Sequence, residues 1–180
     1  MRLNSNVGCI VQTRSVKVNL MQHGTFSLGV SDLEPRFVIL GKVADDMVDE
    51  LLPLAHGTAT HGHGITLDGT SLTINNLEAI LSTASEEIRS AGLTPDDERV
   101  KTFMMIFSIY LGEVFRREHQ GEWMEAHYDQ LGTSTLCVCS RTSRVVFIEP
   151  FTRIKRRIFD GPDYDVANYY RSASKLANAT

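Results

Sequence analysis

Three histidines fall within residues 55–64 (AHGTATHGHG), and a neutral histidine ring is a common zinc ligand. On an extended backbone His61 and His63 point the same way, and His56 can swing in as a third ligand. A metal-dependent enzyme is the chemistry this pattern would support. Three glycines in the same ten residues make a solvated loop the competing reading. A second gathering, Glu113, Glu118, His119, Glu122, Glu125 and His127, holds the groups that general acid–base catalysis needs if a pocket raises one carboxyl. Glu113 and Arg117, four residues apart, also read as an ordinary surface ion pair.

Cys137 and Cys139 flank a single residue, whereas zinc and redox cysteine pairs normally flank two. On a strand both thiols share one face, expected to be the core face, where free cysteine acts as a small hydrophobe. With Cys9 the count is three, and the odd number and close spacing fit reduced thiols in a cytoplasmic protein. Arg153, Lys155, Arg156 and Arg157, with Arg141 and Arg144 nearby, form the one basic patch. They are the candidate partner-binding residues, suited to an acidic protein surface; a solvated helix face is the plainer reading. A formal net charge of −4 argues against a dedicated nucleic-acid binder. No nucleophile motif, phosphate-binding glycine loop or metalloprotease helix is present, so no catalytic residue and no cofactor are expected.

These groups must be held by a scaffold, and its centre is residues 94–123. Val100, Phe103, Met104, Phe107, Leu111, Val114 and Phe115 recur at helical spacing, and Met105, Ile106, Ile109 and Tyr110 widen the stripe until it must be covered on most sides. Thr94 is the expected N-cap, Pro95 the first helical residue and Gly121 the stop. Both ends are too polar for a membrane span. Upstream, alternating apolar residues between Cys9 and Val30 and the run at 36–40 predict strands, and 43–54 predicts a short amphipathic helix. Residues 65–74 read as short strands turning at Asp68-Gly69; Asn75 with Glu78 then resembles a capping box opening a helix to Ala91. Downstream, strands are expected at 122–128, 134–140 and 145–148. A basic segment follows, broken at Gly161-Pro162, and Asp163 caps a last helix.

The segments YLGEVFRREHQGEW (residues 110–123) and VVFIEPFTRIKRRIFDGPDYDVANYY (145–170) resemble a group of small bacterial proteins. In those proteins a helix reading YLGEV-x-R ends in a glycine and a strand tryptophan, then come a hairpin, a basic segment and an aromatic-rich helix. Several similar families act as immunity proteins against secreted toxins. The resemblance therefore implies a cytoplasmic, non-enzymatic protein that binds a cognate toxin or effector, and a secretion chaperone or adaptor is the neighbouring possibility. The expected architecture is α+β: helices at 76–91 and 95–119 on an antiparallel sheet, with a β-rich N-terminal subdomain over 1–74 and the core domain over 75–180.

Overall fold

The computed structural model describes residues 36–128, 132–141 and 145–179. Among the described residues five helices pack with a four-stranded antiparallel sheet, an α+β fold. In chain order these are β1 (Arg36–Ile39), α1 (Lys42–Gly57), α2 (Ile74–Ser90), α3 (Glu98–Glu118), β2 (Glu122–Tyr128), β3 (Thr133–Arg141), β4 (Val145–Ile148), α4 (Pro150–Phe159) and α5 (Val166–Ala177). Strands lie in the order β1-β2-β3-β4, all neighbours antiparallel. The strands expected between Cys9 and Val30 lie outside the described residues. The described part of the first 74 residues, β1 and α1, pairs with β2 and packs on α3 respectively.

α3 is the axis. Met104, Phe107, Ile109, Tyr110, Leu111, Val114 and Phe115 are all buried, because α1 lies along one side of it and α4 along another. Its start differs from the expectation. Asp97, not Thr94, caps it by accepting the Arg99 amide at 3.0 Å, and the chain through Pro95 is a preceding turn. One sheet face, bearing Trp123, Val138 and Ile148, completes this core. Cys137 and Cys139 are buried on the opposite face, with Met124 and Ala126 and the half-buried Phe37, Tyr128 and Phe147.

Residues 112–123 form a clasp between α3 and β2. The Trp123 ring lies against Gly112: a Cβ there would fall 2.1 Å from the indole Cη2. The indole N–H donates to Glu113 Oε2 at 3.3 Å. Arg116 grips the same carboxylate through Nε and Nη2 at 2.7 and 2.8 Å, and Arg117 Nε adds a third contact at 2.6 Å. Glu113 is only 2% exposed, so it is not a surface partner of Arg117. Burial alone would raise its pKa, but the two arginines outweigh that and hold it below the usual carboxylate range. Gly121 follows the same logic, since a Cβ there would meet Val138 at 2.9 Å and the Cys139 carbonyl at 3.1 Å.

Two local expectations are overturned. Residues 55–62 are helical rather than a loop: α1 runs to Gly57 and passes into a π-helical turn, Thr58–Gly62, which Gly64 ends with φ +64°. Fully buried Ala55 and Ala59 drive this, because small side chains let the helix press into the core despite its glycines. Residues 65–70 form no hairpin. Asp68 Oδ1 instead accepts from the Thr70 amide and hydroxyl and from Thr73, while Gly69 takes φ +79° and its N–H donates to the Tyr110 hydroxyl at 3.2 Å.

Candidate functional site

A groove of about 340 Å³ opens where three remote segments meet: the 3₁₀ turn Ser71–Thr73 entering α2, the last turn of α3, and α5. Thr73 positions the first, its hydroxyl 2.6 Å from that of Tyr110. Ile74 and Ala167 reach the lining but are each only 3% exposed, so the apolar surface it offers is that of Leu72, 83% exposed. The α5 wall is placed by Glu78. Its carboxylate accepts from Arg157 Nε at 2.5 Å and from the Val166 amide at 2.7 Å, so it ties α2 to the starts and ends of α5 and α4 instead of closing a capping box. α2 itself begins at Ile74 with no side-chain cap, and α5 is capped by Asp165, not Asp163, through the Asn168 amide at 2.6 Å.

The polar lining is a connected set. The Tyr170 hydroxyl donates to Glu118, and both side chains line the groove. Ser174, also in the lining, lies 2.9 Å from His119 Nε2. His119 is buried against the Phe115 ring, 4.5 Å between centroids, and its Nδ1 has no hydrogen-bond partner. Burial therefore depresses its pKa despite the neighbouring Glu118 charge, and the ring is neutral near pH 7. On the opposite wall Arg171 is held by two amide oxygens, Nη1 to Asn75 at 3.1 Å and Nη2 to Asn168 at 2.6 Å. Chemically the groove offers an anchored cation, an oriented carboxylate, hydroxyls and the exposed Leu72 side chain.

The acid–base gathering seen in the sequence is divided. Glu113 belongs to the clasp, and Glu118 and His119 to the groove and its wall. Glu125 and His127 share one face of β2, their nearest polar atoms 3.4 Å apart, with His127 Nδ1 at 2.6 Å from the Ser134 hydroxyl; Glu122 is exposed at the start of that strand. The histidines of residues 55–64 also separate. His56 Nδ1 lies 2.6 Å from the Leu67 carbonyl oxygen and its ring meets Tyr110 edge-on. His63 lies edge-on to Phe103, 6.4 Å between centroids, and His61 is exposed. Among the described residues no three His, Cys, Asp or Glu side chains gather so as to hold a metal ion.

Of the basic patch, Lys155 is exposed. Arg157 is buried on Glu78, Arg156 reaches Asp160 and stacks on Tyr164 at 4.1 Å, and Arg153 stacks on Tyr169 at 4.7 Å while donating to the Asp165 carbonyl. These contacts tie α4 to α2, to the turn that follows it and to α5. Beside them sits a group the sequence did not flag. Glu149 is buried, takes the Tyr128 hydroxyl at 2.8 Å and donates its amide to Tyr169 at 3.1 Å. Burial raises its pKa, with the Tyr128 hydrogen bond opposing. Burial likewise pushes the Cys137 thiol up, so it is not a reactive thiolate near neutrality.

No family model and no curated protein matches the chain. Among solved structures it is similar to a crystal structure from Bacteroides thetaiotaomicron VPI-5482, with 16% identity and a TM-score of 0.49 over 79% of this chain. The match spans 47% of that chain, about half its length. Among the described residues no helix is long and apolar enough to cross a membrane.

Proposed function

We propose that the protein is a protein-binding module whose docking surface includes the α2–α5 groove, and most concretely a cytoplasmic immunity protein that neutralises a cognate bacterial toxin. The observation that carries the binding reading is Leu72. A leucine 83% exposed in the lining of the groove leaves apolar surface that a partner's side chain would remove from water. The toxin as partner class rests on the resemblance of residues 110–123 and 145–170 to small bacterial proteins of that kind. The clasp supports this reading of the motif: its glycines and charges serve the fold, which leaves the recognition chemistry to other residues.

The test is a tagged pull-down from the native host, with mass spectrometry and metal analysis of the same eluate. One folded partner at 1:1, with its toxicity suppressed in the complex, is the expected result. A partner recovered only in an unfolded state would identify a secretion chaperone. Stoichiometric metal with no protein partner, lost on His61→Ala, would overturn the reading in favour of a metalloenzyme.

A further inference from the structure

His119, at the end of α3, is buried among neighbours that give its ring a single hydrogen bond. It is 1% exposed, with the Phe115 ring centroid at 4.5 Å and the Ser174 hydroxyl 2.9 Å from Nε2. Ser140 on β3 donates to its backbone carbonyl at 2.8 Å, which pins the residue in place. Nδ1 is buried without a hydrogen-bond partner, and the Asn178 amide lies beside the ring but outside hydrogen-bond geometry with that nitrogen. A neutral imidazole leaves one nitrogen unmet. An imidazolium carries an N–H on both, so here one would stay buried and unmet beside a full charge. The charge acting on the ring is that of Glu118, next to it on α3, whose carboxylate already takes the Tyr170 hydroxyl. α5 presents the neutral Tyr170, Ser174 and Asn178, and β3 the neutral Ser140. Burial outweighs Glu118 and keeps the ring's pKa below its ordinary 6.5.

The ring is covered by the end of α5 that has the least apolar area. The first turns of that helix bury Val166 and Tyr170, whereas the last two bury only Ala173 and Ala177, with Leu176 left 40% exposed. Small side chains remove little apolar surface from water, so these last turns open at lower cost than the rest of the helix. We infer that protonation of His119 is a switch that releases the last two turns of α5, residues 171–178, from the end of α3. Arg171 and Ser174 line the groove, so the proton acts on that wall of it. The switch belongs to the fold and does not depend on the groove having a partner.

Once these turns open, the ring regains its ordinary value of 6.5. Each pH unit below that value then favours the open form by about tenfold, until the buried ring itself takes a proton. At pH 7.5 both forms are neutral and the switch is off. Hydrogen–deuterium exchange of the full chain is followed by mass spectrometry at pH 7.5 and 5.5, each rate divided by that of the unstructured chain at the same pH. Residues 171–178 are expected to lose about tenfold in protection at pH 5.5, while the buried middle of α3 keeps its own. Glu149, with its raised pKa, is favoured by acid and cannot supply that loss. His119→Gln keeps a group able to bond Ser174 and takes no proton in this range, so it should abolish the difference. Asn178→Asp, at an exposed position, sets a carboxylate beside Nδ1 and should shrink it. Equal protection at both pH values in the parent would overturn the switch, as would an acid response that His119→Gln or Asn178→Asp leaves undiminished.

Discussion

Replacing Gly112 with alanine tests the clasp most directly. The added Cβ would sit 2.1 Å from Cη2, 2.6 Å from Cζ2 and 3.0 Å from Cζ3 of Trp123, all within one rigid six-membered ring. The indole has little freedom to retreat, because it is buried and its N–H is bonded to Glu113 at 3.3 Å. Gly112 lies in the buried middle of α3, so helix propensity alone would favour alanine by about 1 kcal/mol. Overpacking in a well-packed core costs about 1–3 kcal/mol and more where nothing yields; at 2.1 Å the upper end applies, and the net loss is about 2 kcal/mol. Trp123→Phe removes the ring atoms that clash and costs about 2 kcal/mol by itself, from lost burial and the cavity left behind. In the double variant the overpacking term vanishes and the propensity gain remains. The pair should therefore be more stable than the sum of the singles predicts by about 3 kcal/mol, a coupling at the upper end of those seen between touching residues. Urea denaturation of the four proteins measures it. Additive losses would refute the clasp, as would a Gly112→Ala protein as stable as the parent.

The remaining predictions concern charge and the core. Glu113→Gln should destabilise by about 2 kcal/mol, less than a fully buried pair would, because Arg116 and Arg117 are partly exposed and rehydrate. Since the Glu113 pKa is depressed, its contribution is complete above the ordinary value of 4.5 and is lost as pH falls below it; the gap between variant and parent should close in acid, and a pH-independent gap would count against the ion cluster. Glu149 has the opposite sign. Its pKa is raised, so ionisation costs stability as pH climbs from 4.5 towards the raised value, and Glu149→Gln should be stabilised relative to the parent at pH 8 but not at pH 4. Chemical denaturation at both pH values decides it. Leu111→Ala and Phe107→Ala, both fully buried, should cost about 2–5 kcal/mol each, and a loss near zero at both would remove α3 from the core.

What the sequence showed, and what it hid, divides by distance along the chain. The α3 stripe was readable because every residue in it reports on its own burial through one period, 3.6. The strands at 122–128 and 145–148 were readable from their boundaries, Gly121 before the first, the tight 141–144 link before the second and Pro150 after it. Cap positions moved by a few residues, from Thr94 to Asp97 and from Asp163 to Asp165, since several side chains nearby could each have served. The larger misreadings all involve a group whose partner lies far away. Glu78 is spaced as a capping residue, yet its carboxylate is taken by Arg157 and the Val166 amide, 79 and 88 positions on. The histidine stretch looked like a loop because glycine is penalised in isolated helices. Tertiary burial of Ala55 and Ala59 outweighs about 1 kcal/mol per glycine. The groove was invisible for the same cause. Leu72, Glu118 and Arg171 come from three elements, and none of them departs from the pattern of its own segment. Glu78 thus fixes α5 against α2 from a distance: removing its carboxylate should loosen Arg171 from Asn75 before any residue of the groove is changed.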